Sequence, residues 1–200
     1  MEKTNNKNIF YASALIAFII VSGSAIFVVE KYTQPLTIIY TIEWAPMVLN
    51  NSYLAQESDV IVIGDVKEIL SSRWATKDGK KPINFYDEHI YTDVIIEVDE
   101  YLKNPQPAEE ITVRIMVGKV GIDQIICDEE AEFKPKERVL LFLTTKDSYT
   151  KNIGSEHFNV IGGAHGKFTI EDGQAIRPKV IEDYRTIPLQ ELLETIEKNK

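Results

Sequence analysis

The chain predicts a mainly β (α+β) fold: an N-terminal transmembrane helix, then an antiparallel β-barrel with a C-terminal amphipathic helix. Three observations predict it. Residues 10–29 carry neither charge nor proline. From Asp59 onward, apolar residues recur at every second position, the period of a strand. Over the last dozen residues that period gives way to the period of a helix. With 44% hydrophobic and 26% charged residues among 200, the composition is that of a globular protein.

Residues 10–29 are long enough, at about 1.5 Å per residue, to cross the roughly 30 Å of a bilayer core. Lys3 and Lys7 precede the run, Glu30 and Lys31 close it, and Phe10 and Tyr11 stand at one edge, where aromatic rings favour the interface. The basic bias predicts residues 1–9 as a cytoplasmic tail and everything after the run as extracytoplasmic. The expected location is therefore the cell membrane, single-pass and N-inside. A cleaved signal peptide, with Ser22-Gly23-Ser24 as its site, would give a secreted protein instead, although this run exceeds an ordinary signal core. A core helix of a globular domain is a third reading, disfavoured because this one would be apolar on all sides. No cysteine stands nearby to carry a lipid anchor.

Residues 30–50 read as a stalk and lead-in strand, with β-prone Pro35–Ile42, and 51–200 as the extracytoplasmic domain. Residues 51–58 suit a short helix. Asn50-Asn51-Ser52 matches a glycosylation sequon, a pattern common by chance. Val60, Val62, Gly64 and Val66 alternate with Ile61, Ile63, Asp65 and Lys67. Residues 90–102 and 111–117 alternate in the same way around a break at Asn104-Pro105-Gln106-Pro107. They predict a long hairpin with one wet face, on which Tyr91, Asp93 and Arg114 stand. Val139–Leu143 is apolar throughout and predicts a strand buried on both faces. Residues 158–161 form another short strand. Asp172-Gly173 joins 168–171 to 174–176 as a two-residue hairpin of type I′. Leu189, Leu192, Leu193 and Ile196 fall on one stripe of a helix over 188–198, with Pro188 at its first position. Residues 70–89 and 118–137 read as long irregular loops.

Net charge is −9. Without residues 1–29, which hold two lysines and one glutamate, the remainder is −10. Such a surface lacks the clustered cations that phosphate binding needs, so nucleic acid is not an expected partner. The single cysteine excludes an intramolecular disulfide and any multi-cysteine zinc site.

Several blocks together carry a resemblance: Ser58-Asp59-Val60-Ile61-Val62-Ile63-Gly64, Tyr91-Thr92 with Tyr101-Leu102-Lys103, Glu137-Arg138-Val139-Leu140-Leu141-Phe142-Leu143, and Gly166-Lys167-Phe168. Over roughly residues 52–172 the chain resembles uncharacterised prokaryotic secreted or membrane-anchored β-domains. Its strand order is also similar to the OB-like barrel of netrin-type and metalloproteinase-inhibitor modules. That likeness implies a fold only, because the inhibitors act through an N-terminal cysteine that this chain lacks.

The candidate chemistry is sparse. Cys127, His157 and His165 are the soft-ligand set from which copper or zinc could be held, giving a metal-binding or electron-transfer protein, although their spacings match no familiar site. No cofactor is otherwise expected. Asp123, Asp128, Glu129, Glu130 and Glu132 read as a solvated acidic loop without calcium-loop spacing. Ser155 near His157 is the thin basis for a hydrolase, since no nucleophile-elbow motif is present. Trp74, Phe85, Tyr86 and His89, interleaved with basic residues, form a candidate recognition surface. The expected function is non-catalytic binding of an extracytoplasmic protein or ligand, through loop 70–89 or loop 118–137.

Overall fold

The computed structural model describes residues 35–41, 47, 50–82, 89–147, 150, 152–178 and 186–200. The expected transmembrane segment 10–29 lies outside these residues, as do Phe85 and Tyr86. Among the described residues, no helix is long and apolar enough to cross a membrane. The fold described is that of Thr37–Lys200.

That unit is mainly β. Its elements are β1 (Thr37–Tyr40), α1 (Asn51–Glu57), β2 (Val60–Ile69), β3 (Arg73–Trp74), β4 (Ile90–Lys103), β5 (Glu110–Ile115), β6 (Gly118–Val120), β7 (Asp123–Cys127), β8 (Arg138–Thr144), β9 (Phe158–Val160), β10 (Lys167–Glu171), β11 (Gln174–Ile176), β12 (Thr186–Pro188) and α2 (Leu189–Asn199). Five strands close a barrel in the order β8–β2–β4–β5–β9 and back to β8. All its pairings are antiparallel except β5 with β9, which run parallel through Val113↔Phe158 and Arg114↔Asn159.

Closure depends on β8. One of its edges pairs with β2 from Val60↔Leu143 to Asp65↔Arg138. Its other edge is divided: Val139–Leu141 pair with β10, while Leu143 and Thr144 pair with β9. Beyond β10 the sheet continues outside the barrel as β11 and β12. The Asp172-Gly173 turn between β10 and β11 has positive φ at both residues, as a type I′ hairpin requires.

Period-two alternation on β2 and β8 divides two cores. Val60, Val62, Val66, Val139, Leu141 and Leu143 point into the barrel. Ile61, Ile63, Leu140 and Phe142 point outward, yet they are equally buried, because α1 and α2 cover them through Leu54, Ala55, Leu192 and Ile196. This is why Val139–Leu143 carries no polar residue.

Each end of α1 is fixed locally. The Asn50 side chain accepts from the Ser52 and Tyr53 N–H groups, a cap in its own right. At the other end Lys103 Nζ donates to the Ala55 and Gln56 carbonyls, 2.8 and 3.0 Å away, placing a cation where the helix dipole is negative.

Several expectations are corrected. The stretches 70–89 and 118–137 are not wholly irregular: they contain β3 and the β6–β7 hairpin, and β7 also pairs parallel with β1. Pro188 stands before α2 as its cap rather than inside it. The wet face expected of the β4–β5 hairpin is dry at its Tyr91 end, where Tyr91, Asp93 and Arg114 are all buried. Glu97 and Asp99, further along β4, do face solvent.

If β8 serves two cores, Leu141→Ala (inside the barrel) and Phe142→Ala (under the helices) should each cost about 2–5 kcal/mol. Urea unfolding measures this; a cost below 1 kcal/mol, the order of one lost buried methylene, for either would remove that side from the core.

Candidate functional site

A cleft of about 380 Å³ opens at the end of the barrel where β8 finishes and β9 begins. Its walls come from α1 (Tyr53, Glu57), the end of β5 (Arg114, Met116), the segment after β8 (Thr144, Lys146, Asp147) and the turn after β9 (Ile161, Gly162). Glu130, from the turn after β7, also lines it.

Arg114 organises the floor. It is 1% exposed and stands directly across from Asp93 in the β4–β5 register. Its Nε and Nη2 donate to the two Asp93 oxygens at 2.7 and 2.8 Å, a bidentate pair. The remaining nitrogen, Nη1, donates to the Ile153 carbonyl at 2.6 Å, and the guanidinium lies 3.8 Å from the Tyr91 ring centroid. A side chain at Gly154 would collide with this group, its Cβ falling 2.8 Å from Nη2. Arg114 thus pins the loop between β8 and β9 from beneath.

The same loop is fastened at two further points. The Asp59 carboxylate accepts from the Thr145 N–H and from the Thr144 and Thr145 hydroxyls, and the Thr145 N–H above all holds it below the usual carboxylate range. His157 Nδ1 donates to the Ser155 carbonyl at 2.8 Å, while Nε2 lies 2.9 Å from Asp147 and 3.3 Å from the Thr150 hydroxyl. In a nucleophilic triad, acid and hydroxyl occupy opposite ring nitrogens. Here Asp147 and Thr150 share one nitrogen and a main-chain carbonyl takes the other, so the cluster clamps a loop. Ser155 meets His157 through its carbonyl, not its hydroxyl.

Glu130 differs from these paired groups. Its carboxyl accepts the Met116 and Ala131 N–H groups at 3.3 and 3.0 Å, and burial pushes it above the ordinary range. Gly163 makes this packing possible: a Cβ there would fall 2.2 Å from the Glu129 carbonyl, where the Glu129–Glu130 turn rests. The turn is tied further by the Ala164 N–H to the Glu129 carbonyl at 2.9 Å.

The residues singled out from sequence separate. His157 joins Asp147, and His165 lies on the turn Gly163–Gly166 with Nε2 3.3 Å from Glu129. Cys127 ends β7, where burial raises its thiol. Among the described residues, no group of three or more His, Cys, Asp or Glu side chains is placed to hold a metal ion. The acidic stretch is not simply solvated: Asp123 is buried 2.9 Å from Lys81, Glu129 meets His165, and Glu130 lines the cleft. Trp74 is 2% exposed with the Lys81 ammonium over its ring, so its indole is interior. His89 is half-buried, its carbonyl accepting the Ala75 N–H. Sequence reading passed over Arg114, Asp93 and Asp147; the signal was a charged pair directly opposed across one hairpin register. No protein family and no curated protein matches the chain.

Two outcomes follow from this geometry. Arg114→Met should cost about 3–5 kcal/mol by urea unfolding, because Asp93 is left buried without its cation. Adding Asp93→Leu to it should recover part of that loss, and a double variant weaker than the sum of the singles would contradict the pairing. His165 is held below its ordinary value of 6.5 by burial above all, with Glu129 opposing and Arg177 adding to the shift. The unfolded ring takes up a proton that the folded ring refuses, so stability rises with pH up to about 6.5. The urea midpoint should therefore fall between pH 7 and pH 5, and fall less in His165→Gln. Glu130 titrates in the opposite sense but is common to both proteins, and equal slopes would exclude the assignment.

Proposed function

We propose that the chain is a single-pass membrane protein that displays an OB-like barrel on the extracytoplasmic side, where it binds a partner without catalysis. The observation that carries the reading is the cleft at the barrel end: a preformed concavity whose Arg114 is paired with Asp93 and which the half-buried Glu130 carboxyl also lines. Preformed clefts with a few convergent polar groups are what ligand sites look like. The OB-like assignment is supported by the strand order. Numbering the barrel strands along the chain, the fifth lies between the third and fourth and runs parallel to the third, as in five-stranded Greek-key barrels. Membrane placement is supported by residues 10–29 and the lysines before them.

Of the two loops expected to bind, 118–137 is favoured, because it supplies Glu130 to the cleft while Trp74 of the other is turned inward. Protease added to intact cells should digest the domain from outside while residues 1–9 stay protected. A domain that survives until the cells are lysed would contradict the topology. For the binding itself, Glu57→Ala with Lys146→Ala, both exposed, should abolish partner capture in a cell-surface cross-linking assay while changing the unfolding free energy by less than about 1 kcal/mol. Unchanged capture would remove the cleft from the reading.

A further inference from the structure

We propose that the cleft beside Glu130 binds an organic ammonium group, as carried by a lysine side chain or by a free alkylamine. This rests on the reading of the domain as a binding module and adds the chemistry of the ligand.

The charges around the cleft point to it. Arg114 is held by Asp93, Asp147 by His157, and Lys146 lies 4.0 Å from Glu57. Among the described residues, no lysine, arginine or histidine is placed against Glu130, whose carboxyl is answered only by two main-chain N–H groups. A half-buried carboxyl without a cation keeps its proton more readily, and desolvation pushes the Glu130 carboxyl upward. An entering ammonium supplies the missing charge. Where the carboxyl still carries its proton, that proton leaves to solvent as the carboxylate–ammonium pair forms; where it is already ionised, the ammonium pairs with it and no covalent bond changes.

The rest of the lining suits the ligand's stem. Met116, Val160 and Ile161 present apolar surface for a short methylene chain, and the Tyr53 ring stands at the rim. At about 380 Å³ the cleft is at the small end for ligand sites, large enough for one such chain. An anionic ligand would be set against the Glu130 carboxyl and the acids Glu57 and Asp147. A divalent metal needs several oxygens together, and among the described residues the cleft's acids are not grouped to hold one.

The full-length chain in nonionic detergent would be titrated separately with n-butylammonium, with N-acetyl-lysine N-methylamide, and with n-butanol as the uncharged control. Carboxyl ¹³C resonances and calorimetry in two buffers would read the result. Saturable ammonium binding is expected near a millimolar dissociation constant, with the Glu130 resonance shifting on binding and its titration moving to lower pH when the amine is bound. Affinity should rise with pH through the titration of Glu130. Binding of both amines identifies the ammonium itself as the recognised group; binding of the lysine amide alone identifies a peptide-borne lysine. Glu130→Gln should weaken binding by about tenfold or more. The proposal is overturned if Glu130→Gln binds as the parent does, if n-butanol binds as well as the amines, or if the wild-type Glu130 resonance does not move. That last reading requires no variant, so an unstable Glu130→Gln leaves the proposal testable. A chain that ignores both amines yet still captures a partner at the cell surface overturns this inference and leaves the binding reading standing.

Discussion

Strand β8 is the constraint on which the rest of the domain depends. Its backbone is hydrogen-bonded to β2 on one side and divided between β9 and β10 on the other. Its side chains alternate between the barrel interior and the layer under the helices. From Val139 to Leu143 such a strand has no wet face, so it tolerates neither a charge nor a slip in register there. A shift of one residue would exchange Leu141 and Phe142 between two cores of different shape. Because β9 takes over the edge of β8 where β10 leaves it, the point of barrel closure is also the point where the cleft opens.

The polar groups around the cleft follow from that geometry. Leaving β8 at Thr144, the chain must cross the barrel end before returning as β9. Along the way it is held by the Asp59 carboxylate, the Asp147–His157 pair and Arg114 from below. None of these holds is a surface ion pair: the Asp147 and His157 side chains are 7% and 5% exposed. Burying the Asp147–His157 pair and Arg114 costs polar desolvation, which is compensated only if every partner is met. Lys167, Glu137 and Thr169 do the same at the outer sheet, where burial opposes ionisation of Glu137 but the Lys167 ammonium and the Thr169 hydroxyl together hold its carboxyl below the usual range.

Much of the framework was legible in the residues. The five apolar positions of β8, the Asp172-Gly173 turn and the helical stripe of Leu192 and Ile196 each express a local rule, period or turn geometry, that needs no knowledge of the rest of the chain. The site was harder to read, for a physical reason. Tyr91, Asp93 and Arg114 sit at polar positions of alternating strands and read as a wet face; only the loop that returns across them makes that face interior. The parallel pairing of β5 with β9 joins segments more than forty residues apart, and three residues of β9 carry no pattern of their own. Glu130 was hidden in an acidic run, because what sets it apart is its burial beside Gly163, a property of tertiary packing.

The central claim is that barrel and helix layer are one cooperative unit because β8 belongs to both. Native-state amide hydrogen exchange tests it most directly. The account predicts that amides of Val62, Leu141 and Leu192 exchange only through global unfolding, with the same opening free energy and the same denaturant dependence. Exchange at Leu192 and along β10 that proceeds through a smaller opening, while Val62 and Leu141 stay protected, would show that the helix layer opens independently and would contradict the account.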